Sequence, residues 1–352
     1  MLVRTLSALV ATAVIAMSAC SGDDDDTPAG TGGSAGKGGS GGSAGAPEAG
    51  ATGLGGEGGA TVSPLVARGD YLVNHVAACS DCHTPRLATG APDMTQYLAG
   101  AECFVKLPNG DCLHSRNLTN DATGLKNRTD AEIKTMIRDG QRPADSDLPE
   151  FLNPVMPYYV FHNITDADMD AIVAFLRTVP AVEHDVPASS DSFTVPMAAT
   201  PLSEDVIPTP ADDFPEHDSA MRGRYLAAEA GVCIECHTKH ADPGSADVLM
   251  LDMLFAGGEE FPIGLPVTPI SANLTSDTDT GLGDWSADDI VKAVLTGVDD
   301  EGKGLCPPMP AGPMGAFGGL KPADALDIAN YIKSLPAISN TVDDMCSFPP
   351  SP

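Results

Sequence analysis

Cys79-Ser80-Asp81-Cys82-His83 and Cys233-Ile234-Glu235-Cys236-His237 carry the reading of this chain. Each spells C-x-x-C-H. Thiols three positions apart lie on about one helical turn, so both can add to the two vinyl groups of a single porphyrin. The histidine after the second thiol is then held beneath the iron, where its imidazole is a ready proximal ligand. A lone C-x-x-C is ambiguous, because dithiol redox pairs and zinc sites share the spacing. The trailing histidine, present in both copies, selects covalent attachment of a c-type haem. The expected cofactors are two haem c groups, bound through Cys79, Cys82 and His83 and through Cys233, Cys236 and His237.

Each iron needs a second axial ligand, and a thioether is well suited. Met156-Pro157 and Met309-Pro310 are the candidates, each in a proline-containing loop before the last helix of its half. Proline beside the ligand stiffens the loop and fixes the direction of the sulfur. Methionine is also good core filler, and with 13 methionines in the chain Met314 competes with Met309. The expected metal ligands are His83, Met156, His237 and Met309. His75, His114, His162, His184, His217 and His240 have no counterparts in the other half and read as surface or hydrogen-bonded residues. An iron with both axial positions filled has no open site for peroxide or oxygen, yet exchanges an electron with little rearrangement. That points to an electron carrier. The alternative is a haem enzyme, such as a dihaem peroxidase or a cytochrome-type thiosulfate dehydrogenase. It would need an open iron and acid/base residues, for which no motif stands out.

The chain repeats itself. Arg68-Gly69-Asp70-Tyr71-Leu72 matches Arg222-Gly223-Arg224-Tyr225-Leu226, Asn117-Leu118-Thr119 matches Asn273-Leu274-Thr275, and Thr123-Gly124-Leu125 matches Thr280-Gly281-Leu282. The shared order argues for duplication of one domain. Each half reads as mainly helical: a first helix from about Val66 into Cys82 and from about Ser219 into Cys236, a middle helix near Asp130–Arg138 and near Ala287–Leu295, and a last helix stopped by Pro180 and by Pro336. Gly69 and Gly223 allow a second helix to cross closely, with Phe175 and Tyr331 placed to pack there. No run alternates well enough for a sheet. The expected divisions are a leader at 1–20, a Gly/Ser/Asp-rich disordered tether at 21–63, domain 1 at 64–183, a Pro-, Ser- and Asp-rich linker at 184–216, domain 2 at 217–346 and a tail at 347–352.

Arg4, an apolar stretch from Leu6 to Met17 and the small residues before Cys20 read as an export signal. Cys20 resembles the lipidated cysteine of bacterial lipoproteins, which implies an envelope protein on the periplasmic side, anchored to a membrane, with the outer membrane favoured. The formal charge of −30 argues against nucleic acid and favours a basic partner. Of nine cysteines, Cys20 and the four haem thiols leave Cys103, Cys112, Cys306 and Cys346. An even remainder outside the cytoplasm suggests two disulfides, with three possible pairings. The Pro108-Asn109-Gly110-Asp111 turn brings Cys103 towards Cys112.

Both halves resemble class I c-type cytochrome domains. In the second half, Phe255-Ala256-Gly257-Gly258, Ser271-Ala272-Asn273-Leu274-Thr275, Asp279-Thr280-Gly281-Leu282-Gly283 and Pro307-Pro308-Met309-Pro310 are similar to the cytochrome subunits of membrane-bound quinoprotein or flavoprotein dehydrogenases. That resemblance implies a dehydrogenase as electron donor and a quinone, an oxidase or a small cytochrome as acceptor. The subgroup typically carries three haems, whereas two attachment motifs stand here.

Overall fold

The computed structural model describes residues 62–241, 247–261 and 268–343. The leader, Cys20, nearly all of the tether and Cys346 lie outside the described residues. One order of elements occurs twice. Helix α1 (Pro64–Tyr71) leads through a π-helical turn, Leu72–Val76, to α2 (Cys79–His83), α3 (Asp130–Asp139), α4 (Tyr158–Phe161) and α5 (Asp166–Leu176). The second series is α6 (His217–Ala228), α7 (Cys233–Cys236), α8 (Ala287–Thr296) and α9 (Pro322–Ser334). The molecule is mainly α. Two-residue strands, β1 (Val105–Lys106) and β2 (Cys112–Leu113), form the one named sheet among the described residues. It is closed by the expected turn and the Cys103–Cys112 disulfide. Cys306 is also disulfide-bonded.

Local signals account for the middle helices. Thr129 and Glu132 cap α3 reciprocally, and Ser286 and Asp289 do the same for α8. Gly140 (φ 64°) and Gly297 (φ 72°) end them in the left-handed conformation. The first and last helices cross where glycine permits it. A Cβ on Gly69 would lie 1.9 Å from the Ala171 carbonyl oxygen, with the Phe175 Cβ at 2.7 Å. A Cβ on Gly223 would lie 1.8 Å from that of Asp327. Tyr331 packs edge-on against Phe255 instead.

The expected first helices are not continuous. The Ala77 amide reaches back to the Leu72 carbonyl, and Ala78 adopts φ 52° immediately before Cys79. The second half breaks at Glu229–Val232, where the Ala230 amide bonds the Tyr225 carbonyl. Each break lets the five-residue motif take its own direction, independent of the helix that carries it.

The two series interlock reciprocally. The Tyr71 hydroxyl donates to Asp324 (2.6 Å) and accepts from the Lys321 amide (3.2 Å) at the start of α9. Tyr225 donates to Asp168 (2.6 Å) and accepts from the Thr165 amide (3.4 Å) at the start of α5. The segment between the series bonds both: Leu202 to the Tyr159 carbonyl, and the Glu204 and Pro208 carbonyls to Arg224 and Tyr331.

Candidate functional site

The imidazoles of His83 and His237 are fixed by the same device. His83 Nδ1 donates to the Arg116 carbonyl (2.7 Å) and His237 Nδ1 to the Ala272 carbonyl (2.8 Å). Both acceptors immediately precede an Asn-Leu-Thr. Asn117 Nδ2 donates to Thr123 Oγ1 (3.0 Å) and the Val182 carbonyl (2.9 Å), while its Oδ1 accepts from the Thr119 amide (2.9 Å). Asn273 makes the matching bonds to Thr280, Ile338 and Thr275. The repeated asparagines therefore close a turn that presents a carbonyl to the imidazole. Burial lowers the pKa of both histidines, keeping them neutral. With the proton on Nδ1, the Nε2 lone pair is left for a metal.

The four thiols are reduced and partly buried. Burial pushes Cys79, Cys82 and Cys233 up to about 12, and Cys236 well above its ordinary value. The pairs are close to each other: a Cβ on Gly231 would lie 3.4 Å from the Val76 carbonyl, and the charge of Glu235 is felt at Cys82. Reduced thiol pairs beside an imidazole with a committed Nδ1 fit covalent haem c at both places.

Met156 and Met309 are half-buried and pack against the core, while Met314 is 80% exposed. Met309 lies in a loop that returns to the other half: His75 Nδ1 donates to the Ala316 carbonyl (2.9 Å), and the Ala316 amide serves Asp81. In the opposite direction, Tyr159, three residues after Met156, is buried with its hydroxyl unpartnered, within the influence of Glu235 and Glu259.

The surroundings of the two histidines differ in charge. Arg116 and Arg142 line one cleft with Phe151, Asn153, Ser189 and Phe193. Their guanidiniums donate to backbone carbonyls: Arg116 to Val186 (2.8 Å) and Pro187, Arg142 to Phe151 (3.0 Å) and Pro149. Burial brings Arg142 down to about 10, helped by the charge of Arg116. In the second half His240 sits between Glu235 (3.3 Å) and Glu259 (3.3 Å), and Cys236 donates to Glu235 (3.1 Å). These charged groups carry no motif. Only the repeat register, once folded, pairs them across the halves.

Residues 66–180 match the cytochrome c family. The chain is 28% identical over 297 residues to the fructose dehydrogenase cytochrome subunit of Gluconobacter japonicus, covering 81% of this chain and 55% of that one. It is 30% identical over 302 residues to the cytochrome c subunit of the quinone-dependent alcohol dehydrogenase of Gluconacetobacter polyoxogenes, covering 78% and 57%. It thus spans just over half the length of these relatives. A diheme c-type cytochrome of Cereibacter sphaeroides is 28% identical over 282 residues, covering 74% of this chain and 82% of its own.

Proposed function

We propose that this chain, whose residues 66–180 are a cytochrome c domain, is a dihaem electron carrier made of two tandem class I cytochrome units, 64–183 and 217–346. The observation that carries the reading is the duplicated constellation: two C-x-x-C-H turns, each with its histidine Nδ1 held by the carbonyl before an Asn-Leu-Thr turn. Haem bound at each place supplies a reversible one-electron iron couple. Cys79 and Cys82, and Cys233 and Cys236, would anchor it, and the Nε2 atoms of His83 and His237 would be free to hold the iron. Met156 and Met309, each half-buried in a proline-flanked loop, would supply the thioether ligands. With those ligands in place and a rigid frame around them, reorganisation would be small, which would suit transfer of electrons and not activation of oxygen.

Similarity to dehydrogenase cytochrome subunits supports a dehydrogenase as donor; the acceptor in this reading is a quinone, an oxidase or a small cytochrome. The chain is assigned to the periplasmic side of a bacterial envelope, lipid-anchored through Cys20. Optical spectra of the purified protein during an anaerobic redox titration test the carrier reading. Two reversible low-spin haems are expected. A resting five-coordinate, high-spin haem that turns over peroxide or thiosulfate would replace it with the enzyme reading.

A further inference from the structure

We propose that the two haem sites are electrostatically polarised, so that the first-half haem has the higher potential and electrons run from the second half to the first. The inference rests on the dihaem reading above and goes beyond it by giving the carrier a direction.

The duplication makes the comparison like for like. Arg116 supplies the carbonyl that holds His83, and Ala272 supplies the one that holds His237. Arg142 follows the glycine cap of α3 by two residues, its amide bonded to the Glu150 carbonyl. Asp299 follows the glycine cap of α8 by two, its amide bonded to the Lys303 carbonyl. At these corresponding positions the first half thus carries two guanidiniums and the second an alanine and a carboxylate. The attachment turns cancel in part: Asp81 and Glu235 correspond, with Arg86 3.7 Å from the first and the His240 imidazole 3.3 Å from the second. Glu102 and Glu259 also correspond, but Glu102 is exposed and pairs with His184 (3.3 Å), whereas Glu259 is half-buried on the other face of His240 (3.3 Å), beside the attachment turn.

Two arginines set against Asp185 leave the surroundings of His83 the more positive, and Glu235 with Glu259 leave those of His237 the more negative. Both arginines in the first half donate to backbone carbonyls in a partly buried cleft, with Asp185 as the one opposing charge that acts on Arg116. Reduction adds one electron to an iron. Positive charge stabilises the reduced form and negative charge opposes it, and both effects strengthen away from bulk water. The attachment turns approach each other through Gly231 and Val76, so exchange between the two haems is intramolecular. No oxidant beyond the electron acceptor is required.

The test is a potentiometric titration of the holoprotein, followed optically, for the wild type, Arg142→Gln, Arg142→Lys and Glu259→Gln. Two midpoints are expected. Arg142→Gln should lower the upper one, moving the inter-haem equilibrium about tenfold towards the second haem, or about 59 mV for a one-electron couple. Arg142→Lys keeps the charge and should leave both midpoints in place, which separates charge from packing. Glu259→Gln should raise the lower midpoint alone. The proposal is overturned if the wild type titrates at a single midpoint, if Arg142→Gln moves the lower step, or if it moves neither. A protein that binds fewer than two haems would instead contradict the dihaem reading, a distinct failure visible before any titration.

Discussion

Met309 and Met314 stand five residues apart in one loop but in different surroundings. Met309 packs against the core, whereas Met314 is 80% exposed. An exposed thioether pays rotamer entropy to reach a metal and competes with water, while a half-buried one is already ordered. Met314→Ala should therefore leave the spectrum of the ferric protein unchanged. Met309→Ala should remove about half of the methionine-to-iron charge-transfer band, with the remainder kept by Met156. Loss of the band in Met314→Ala would reverse the assignment. At this scale much was legible in the sequence, because C-x-x-C-H states its chemistry in consecutive residues. The carbonyls of Arg116 and Ala272 were not legible. They are backbone atoms brought to the imidazoles by a turn, and no side-chain pattern reports them. Arg142 was equally silent, since its meaning depends on Asp299 standing at the matching place in the other half.

Helices α1 and α5 meet at Gly69, and α6 and α9 meet at Gly223. A methyl group at Gly69 would overlap the Ala171 carbonyl, which is backbone and cannot rotate away. Gly69→Ala should cost about 3 kcal/mol, read from the midpoint of denaturant unfolding, and Gly223→Ala the same. A cost near zero for both would mean that the crossings are looser than described. These crossings were visible in the sequence because glycine has a specific backbone use. The interruption of the first helices was not. Ala78 takes a left-handed conformation that alanine does not advertise, and the π-helical turn before it has no sequence mark.

The two helical series are tied by a pair of exchanged tyrosines, and this interlock is sensitive to pH in both directions. Burial works against ionisation of Asp168, but the hydrogen bonds from Arg68 and Tyr225 outweigh it and hold the carboxyl below its ordinary value. A depressed carboxylate stabilises the fold above its unfolded pKa of about 3.9. That contribution is lost as pH falls through the folded value. Burial, then the bond to Asp168, raises Tyr225 to about 12. The neutral phenol stabilises the fold below about pH 10, and the contribution is lost as pH rises towards 12. The thermal midpoint of the wild type should thus fall below about pH 4 and above about pH 10. Asp168→Asn should be less stable at neutral pH by about 2 kcal/mol and less sensitive to acid. Equal acid sensitivity in both proteins would show that the interlock is not what acid breaks. The duplication behind this arrangement was plain from repeated words in the sequence, but the exchange was not, because Tyr71 and Asp324 lie 253 residues apart. The central claim, that one chain carries two thioether-bound haems, is tested most directly by intact mass measurement of the native protein after alkylation of free thiols. Two haem increments, with Cys79, Cys82, Cys233 and Cys236 all unreactive, are predicted. One increment or none, with alkylated cysteines at either motif, would contradict it.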